Sequence, residues 1–326
     1  MSIWSKLKRP IICLAPMSGV TDAAMRRVTV QLGKPDVFFT EFVSCAGLCS
    51  PKREELMSEL QFDEIERPIV AQIFGREPDQ FERCAELIAE LGFDGVDVNT
   101  GCPDKKVQKQ GAGAMLMKEP ELTKRIIAAT KRGAGDIPVS VKTRIGYDTN
   151  NLDEWLKRLA ETQPAAISIH WRTKRQAYKG DARWDLAPKA VEIVRTHCDD
   201  TRLLGNGDVK SLNQAYSLAK ETGVDGVMIG RRIFTNPWVF NPNVNIENVT
   251  TYDRLMALDT HLTAFENCFG DKKHFLTMRK YVRSYVNAFK GAKHFRIALH
   301  TARSITQMRD MINEFAKARE ADDHSS

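Results

Sequence analysis

One cysteine, Cys102, stands where a thiol could do chemistry: it follows Asn99-Thr100-Gly101 and precedes Pro103, directly after the strand-like run Gly95–Val98. A Gly-Cys-Pro turn bends the backbone sharply and restricts it, so the sulfur can be aimed at a molecule bound above the strand end. Such a thiol serves as an acid or a nucleophile, whereas a cysteine taken at random more often fills space in a loop. The residues at the other strand ends decide between these interpretations.

Polar groups or glycines lie at or just after the C-terminal end of each of the eight strand-like runs, and we call these positions the strand exits. These exits are Pro16-Met17-Ser18-Gly19, Glu41, Gln72, Asn99 with Cys102, Lys142 with Arg144, His170 with Arg172 and Thr173, Asn206-Gly207-Asp208, and Gly230-Arg231. A lysine and a histidine that end otherwise apolar strands favour a functional interpretation over a random set of polar loops.

The last two exits suit an anion, because Gly207 and Gly230 allow backbone N–H groups to approach it and Arg231 supplies charge. Barrels of parallel strands frequently bind a phosphate after strands seven and eight. A phosphorylated cofactor held there would extend towards the other exits, which suits a flavin mononucleotide. Lys142 would then face the N1 and O2 side of the reduced ring. In the alternative interpretation Lys142 only pairs with an acidic neighbour such as Asp97.

In this interpretation two further exits complete the flavin site. Gln72 would hydrogen-bond the ring edge, and the Pro16-Met17 backbone would pack beside the ring.

The elements that must position these residues alternate between strand and helix. The eight β-rich runs are 11–15, 37–42, 68–74, 95–99, 138–142, 165–170, 202–206 and 226–230. Helical spacing or helix starts lie between them, for example at 79–91, 121–130, 152–160 and 211–220. Near-continuous apolar strands, each followed by a helix, predict an α/β fold in which a parallel sheet closes on itself, a (β/α)8 TIM barrel.

A change of pattern near residue 244 predicts a second domain. Three-four apolar spacing without strands begins there and indicates a small helical bundle. The helix breakers Pro237 and Pro242 make the intervening segment a linker. We expect a catalytic barrel over 1–240, a helical RNA-binding domain over 244–320 and a frayed tail over 321–326.

Composition narrows the class of protein further. The apolar content is 42%, and no apolar stretch approaches the 18 residues of a membrane span. The apolar run Ile11–Ala15 is too short for a signal peptide, so we expect a cytoplasmic protein. The seven scattered cysteines are typical of reduced thiols and lack metal-ligand spacing, so no metal site is expected.

Six segments together resemble the bacterial type of the tRNA-dihydrouridine synthase family, flavoenzymes that reduce uridine in folded tRNA. The matching segments are 15–22, 99–103, 141–144, 170–173, 205–208 and 228–231. Arg279-Lys280-Tyr281-Val282 also resembles the helical domain of this family. The resemblance covers nearly the whole chain.

The resemblance implies a reaction and a role for individual residues. NADPH would reduce bound FMN, hydride would pass from FMN N5 to uracil C6, and Cys102 would deliver the proton to C5. Asn99 would contact the uracil edge, and Lys142 and His170 the flavin. Arg172 would lie near the flavin phosphate.

Further assignments rest on the same interpretation. Arg144 and Thr173 are candidates for substrate contact, and the loop residues Pro16, Met17, Ser18, Asn206, Gly207, Asp208, Gly230 and Arg231 are candidates for cofactor contact. Lys105 and Lys106 follow Cys102 and would lower the pKa of the thiol if they faced it. We expect them to face RNA phosphate.

A basic stretch lies in the predicted helical domain. Residues 272–303 contain nine lysines and arginines and no acidic residue. A continuous helix would place Lys272, Arg279, Arg283 and Lys290 on one face, where they would bind phosphates with an affinity that falls as salt rises. Lys280 and Lys293 belong to the same candidate RNA-backbone surface. In the alternative interpretation these residues form an ordinary solvent-exposed charged surface with no role in binding.

Two other functions remain open from the sequence. One is a flavin barrel that reduces a free pyrimidine or another small unsaturated compound and has no use for the basic stretch. The other is a non-catalytic RNA-binding protein. We expect a monomer that binds tRNA and no membrane.

Overall fold

The computed structural model describes residues 2–198 and 200–323 of the 326-residue chain. Eight parallel strands form one sheet, in the order β1-β8-β7-β6-β5-β4-β3-β2. They are β1 Ile11–Leu14, β2 Phe38–Ser44, β3 Ile69–Phe74, β4 Gly95–Asn99, β5 Val139–Arg144, β6 Ala166–His170, β7 Arg202–Asn206 and β8 Gly226–Ile229. The predicted (β/α)8 barrel is confirmed.

The sheet closes where β1 approaches the start of β2. A parallel bridge joins Cys13 to Val37, with hydrogen bonds from Leu14 N to Val37 O at 3.2 Å and from Asp36 N to Ile12 O at 2.8 Å. These two bonds join β1 to the segment that leads into β2 and so close the barrel. Buried apolar side chains at β1, β2, β3, β6, β7 and β8 form one core cluster of the barrel together with Trp4.

The α-helices lie between and after the strands. They are α1 Ile3–Lys6, α2 Ala23–Leu32, α3 Cys45–Leu48, α4 Arg53–Met57, α5 Pro78–Glu90, α6 Lys105–Lys109, α7 Pro120–Ala134, α8 Leu152–Ala160, α9 Ala187–His197, α10 Leu212–Thr222, α11 Thr251–Phe269, α12 Arg279–Tyr285, α13 Ala292–Leu299 and α14 Ile305–Asp323. Short 3-10 helices span Glu64–Glu66, Gly113–Lys118, Trp184–Leu186, Arg231–Phe234, Ile246–Asn248, Gly270–Lys272 and Phe275–Met278. None of the helices in these described ranges has the length and apolar composition that a bilayer crossing needs.

The chain divides into two compact units whose limits differ from the expected boundary at residue 240. The first comprises Met1–Asp22 and Pro35–Gly230, and the second comprises Ala23–Lys34 and the chain from Arg231 onward. Helix α2 is thus an early segment of the second unit. A Cβ at Gly33 would lie only 2.5 Å from Asn241 N, so the missing side chain allows this close backbone approach.

Two details of the second unit differ from the sequence expectations. The basic stretch is not one helix, because Ala288 and Gly291 take positive φ and separate α12 from α13. Lys272 and Lys290 therefore lie outside α12, and the expected single face of four cations is wrong. At the other end, α14 continues to Asp323, so residues 321–323 are helical where a frayed tail was expected. The rest of that tail, 324–326, lies outside the described residues.

Candidate active site

Cys102 lies in a buried turn just after β4, with 8% of its surface exposed. The side-chain oxygen of Asn99 accepts hydrogen bonds from the backbone N–H groups of Gly101 at 3.1 Å and Cys102 at 2.9 Å. Burial raises the pKa of the Cys102 thiol, and the backbone N–H of Asp104 and the charges of Arg144 and Lys142 only partly oppose this. The thiol is therefore protonated at neutral pH, as a general acid requires.

Lys105 and Lys106 are both exposed at the start of α6, beyond the buried turn. Asp104 caps this helix through hydrogen bonds from the N–H groups of Lys106 and Val107. The cations that act on the thiol thus come from β5, and the two lysines face solvent.

Arg144, at the end of β5, ties the Cys102 turn to the loop after β6. Its side chain is buried, and the guanidinium donates to the carbonyl oxygens of Gly101 at 2.7 Å, Thr173 at 3.2 Å and Ala177 at 3.0 Å. Burial lowers the pKa of Arg144 to about 10, so it stays charged at neutral pH. Thr173 is itself buried in a turn closed by hydrogen bonds with Gln176.

Lys142 at the end of β5 and Asn206 at the end of β7 meet in front of β6, which lies between these strands. Lys142 Nζ donates to Asn206 Oδ1 at 3.2 Å, and Asn206 Nδ2 donates to the carbonyl oxygen of Met228 at 2.9 Å. Burial, followed by the nearby charge of Arg144, lowers the pKa of Lys142 to about 8. Lys142 hydrogen-bonds Asn206. The carboxylate of Asp97 accepts hydrogen bonds from Ser140 and Gln72, so the alternative of a simple Lys142–Asp97 pair does not describe this lysine.

His170, Arg172 and Asp208 form a second polar group over β6 and β7. Arg172 is 2% exposed and pairs with Asp208, while its Nη1 lies 3.3 Å from His170 Nε2. Arg172 also donates to the carbonyl oxygen of Gly180, so it secures the loop after β6. Its expected contact with a flavin phosphate stays a prediction.

The backbone near Gly207 is shaped for close approach. Gly207 has φ +129°, and a Cβ there would lie 2.7 Å from the Cβ of Ala182. Asp208 follows in the left-handed region with φ 56°. Gly230 ends the first compact unit, where a Cβ would make only ordinary contacts with Ala15 and Met17. Arg231 is exposed and begins the second unit.

The loop after β1 is held by its own side chains. Met17 N donates to Thr21 Oγ1 at 3.0 Å, and Gly19 N donates to Glu41 on β2. Pro16 and Met17 are partly exposed and Ser18 is exposed, so this loop can contact a bound molecule.

Gln72 and Asn99 lie within hydrogen-bonding distance, as Asn99 Nδ2 donates to Gln72 Oε1 at 3.0 Å. Gln72 is fully buried, and its expected bond to a flavin ring stays a prediction.

Tyr178 was not predicted from the sequence as part of this site, and Asp97 was considered only as a partner of Lys142. Tyr178 is 56% exposed, its ring centre is 6.3 Å from that of His170, and the Arg144 guanidinium carbon lies 6.0 Å from it. Asp97 is fully buried in the hydrogen-bond network below Asn99. No motif marks the Tyr178 loop. A charged residue inside the strand Gly95–Asn99 was the available signal for Asp97.

The predicted RNA-backbone residues of the second unit differ in exposure. Arg283 on α12 and Lys293 on α13 are exposed, as are Lys272, Lys280 and Lys290. Arg279 is half-buried, and its Nη2 donates to the carbonyl oxygen of Ala302 at 2.9 Å. Arg279 thus also supports the fold of this unit.

Nearly the whole chain is similar to known proteins. The family model described as "Dihydrouridine synthase (Dus)" matches residues 13–320. A relative from Staphylococcus epidermidis named probable tRNA-dihydrouridine synthase is 39% identical over 321 residues and covers 96% of each chain. Probable tRNA-dihydrouridine synthase 2 of Bacillus subtilis is 36% identical over 319 residues and covers 97% of each. Morphinone reductase in complex with tetrahydroNAD matches the fold with a TM-score of 0.50 and 12% identity, over 72% of this chain and 86% of that one.

Proposed function

The chain belongs to the dihydrouridine synthase (Dus) family, and we propose that it reduces uridine in tRNA to 5,6-dihydrouridine. The observation that carries this proposal is the buried thiol of Cys102, whose pKa is raised by that burial, beside the polar ends of β5 to β7. Reduction of the uracil C5–C6 bond needs a hydride on one carbon and a proton on the other. Cys102 would give its proton to C5.

The residues at these exits fit FMN as the resident cofactor. Lys142 offers a cation, and His170 and Asn206 offer polar side chains on the next two strands. This set suits the N1 and O2 edge of a flavin, whose reduced form is anionic there. When bound, FMN would supply the hydride for uracil C6 and would be reduced again by NADPH.

The chain's own groups would then bind and orient both molecules. Pro16, Met17 and Ser18 would lie beside the flavin, with Gly207, Asp208, Gly230 and Arg231 at its phosphate. Asn99 would donate to the uracil edge, and Arg144 and Thr173, which hold the surrounding loops, would also lie at the substrate. Lys142 would hold positive charge next to the ring.

Binding of tRNA would use cations outside the barrel strands. Lys105 and Lys106 are exposed beside the Cys102 turn, and the basic stretch 272–303 lies in the second unit. A uridine in folded tRNA must leave its stack to react, which costs a few kcal/mol by comparison with other base-modifying enzymes. Phosphate contacts would offset this cost. Such a substrate would place the enzyme in the cytoplasm, and we propose that it acts there as a monomer.

The test combines cofactor, reductant and substrate. The flavin would be released from one sample of the purified protein and compared with FMN and FAD by chromatography. A second sample, the intact holoenzyme, would be incubated with unmodified tRNA transcript and NADPH or NADH. We expect FMN, and nucleosides that have gained two hydrogens by mass spectrometry. Free uridine or another small alkene reduced faster than tRNA would identify a small-molecule reductase instead. RNA binding without any flavin absorption, even after FMN is added, would identify a non-catalytic protein.

A further inference from the structure

A buried carboxylate lies below the candidate active site. Asp97 sits opposite Gln72 on β3 and Ser140 on β5 in the strand register, so the three side chains share one face of the sheet. Asp97 Oδ1 accepts from Ser140 Oγ at 2.6 Å, and Asp97 Oδ2 accepts from Gln72 Nε2 at 2.7 Å. An ionised carboxylate only accepts hydrogen bonds, so Gln72 must present its NH₂ group to it.

The carboxylate of Asp97 also determines the direction of the hydrogen bonds between Gln72 and the Cys102 turn. Because the NH₂ group of Gln72 faces Asp97, Gln72 Oε1 faces Asn99 and accepts from its Nδ2 at 3.0 Å. Asn99 Oδ1 must then face the backbone, where it accepts from the N–H groups of Gly101 and Cys102. Each amide in this chain of hydrogen bonds has one orientation that satisfies both neighbours.

The charge state of Asp97 supports this direction. Burial raises its pKa to about 6, while the bonds from Ser140 and Gln72 and the charge of Lys142 act to lower it. The carboxyl is therefore mainly ionised at neutral pH and accepts on both oxygens. Arg144 also lies near this group of residues, through its bond to Gly101.

We propose that Asp97 is a positioning residue, which fixes the orientation of the Asn99 amide through Gln72. This orientation holds the Cys102 turn and leaves the second N–H of Asn99 Nδ2 as a donor for the substrate. A donor at this point matches a carbonyl oxygen of a uracil base and opposes a group that itself donates, such as an exocyclic amine. The inference deepens the proposed function and rests on it for the identity of the base.

The first variant to test is Asp97→Asn, which keeps the shape of the side chain but presents an NH₂ group. If the new amide at position 97 still accepts from Ser140, its NH₂ group faces Gln72 and the amides of Gln72 and Asn99 must turn over. Asn99 would then direct NH₂ at the N–H groups of Gly101 and Cys102, which displaces the turn. We expect kcat for dihydrouridine formation to fall about 100-fold with a smaller change in KM, because a small misplacement of a reacting group has an effect of this size.

The second variant restores the original orientation of the Asn99 amide by placing the carboxylate at position 72 instead of position 97. In Asp97→Asn/Gln72→Glu, the new carboxylate at position 72 accepts from the new amide at position 97 on one oxygen and from Asn99 on the other. Asn99 regains its original orientation, so we expect at least tenfold recovery over Asp97→Asn. A residue that only fills space would give no such paired rescue. Ser140→Ala is the matched control, since it removes a 2.6 Å bond to the same carboxylate and leaves the direction towards Gln72 intact.

A second readout needs no substrate. In the holoprotein, the rate of Cys102 alkylation by iodoacetamide, mapped by mass spectrometry, reports the turn directly. We expect it to change in Asp97→Asn and to return towards the parent rate in the double variant. If the parent makes no dihydrouridine, the proposed function fails while this readout still tests the positioning role. The inference would be overturned if Asp97→Asn kept the parent activity and alkylation rate. It would also be overturned if the double variant were no closer to the parent in either measurement than Asp97→Asn.

Discussion

Arg144 Nε donates a hydrogen bond to the carbonyl oxygen of Gly101 at 2.7 Å, so a buried cation of β5 holds the peptide that directly precedes Cys102. The same guanidinium reaches the carbonyl oxygens of Thr173 and Ala177 in the loop after β6. Two loops from different strands therefore depend on one side chain. Its charge also acts on the Cys102 thiol.

Replacement of Arg144 is expected to change the pKa of the Cys102 thiol. Burial already raises the pKa of Cys102, and Arg144 partly opposes the increase, so Arg144→Met should raise the pKa further. The pH dependence of Cys102 alkylation would be compared with a small thiol of pKa about 8.5. The parent curve should lie above that value and the variant curve higher still. Arg125→Met, on the exposed face of α7, provides the control. A variant curve at lower pH would contradict the assignment.

Removal of the thiol tests its role as an acid. Cys102→Ala should retain flavin and tRNA binding and lose about 10²- to 10⁴-fold in dihydrouridine formation, the usual contribution of a general acid. Single-turnover formation of product, started with pre-reduced enzyme, measures the step itself. An unimpaired single-turnover yield would exclude Cys102 as the proton donor.

Lys142 should titrate well below an ordinary lysine. Burial and Arg144 lower its pKa to about 8, so in cofactor-stripped protein its charge is present below that pH and lost above it. Acetylation by acetic anhydride, which needs the neutral amine, should therefore rise through about pH 8 at Lys142. An ordinary lysine titrates near about 10.4. Arg144→Met should move the Lys142 transition to higher pH, and a parent transition at the ordinary value would count against the burial of its ammonium.

The exposed cations of the second unit should carry salt-dependent affinity for tRNA. Arg283→Glu/Lys293→Glu should weaken binding and reduce the slope of log affinity against log salt by about 2, roughly one for each phosphate that is no longer neutralised. Lys157→Glu/Lys220→Glu makes the same charge change on exposed sites of α8 and α10 and serves as the control. Equal losses of affinity in both double variants would point to net charge alone.

Asp225 should make a large contribution to barrel stability. Burial acts to raise its pKa, but the Leu203 N–H, Arg195 and Arg9 together lower it. Asp225→Asn should reduce the free energy of unfolding by about 3 kcal/mol, as in other broken buried pairs. Because the folded pKa is lowered, this stabilisation is present above about pH 4 and is lost as pH falls through the folded value. Denaturant unfolding at several pH values measures it, and Asp185→Asn, which breaks an exposed pair, should change little.

The strands were largely predictable because their apolar runs are continuous. The run at 95–99 matches β4, and 202–206 matches β7. Strand β2 continues to Ser44, past the predicted end at Phe42. The prediction ended too early because Glu41 is a polar residue inside a buried strand and was interpreted as the end of that strand. Local sequence thus indicates where a strand begins more clearly than where it ends.

The sequence indicates which polar residues lie at the strand ends, but it does not indicate the hydrogen bonds between them. Cys102, Asn99, Lys142 and His170 stand out as polar groups at strand exits. The role of Asp97 depends on the register that sets it opposite Gln72 and Ser140, which are 25 and 43 residues away. The membership of α2 in the second unit likewise reflects contacts between residues far apart in sequence, such as its packing against α11 and the bond from Asn241 Nδ2 to Leu32 O, 209 positions away.

Helix α2 makes the two compact units inseparable by one cut of the chain. The polypeptide leaves the first unit after Asp22, returns at Pro35 and leaves again after Gly230. A truncation at Gly230 would keep α2 and discard α11, the long helix against which it packs. Any exchange of the C-terminal region between relatives must therefore carry Ala23–Lys34 with it, so the RNA affinity that we propose for that region would be inherited through two separate stretches of the gene.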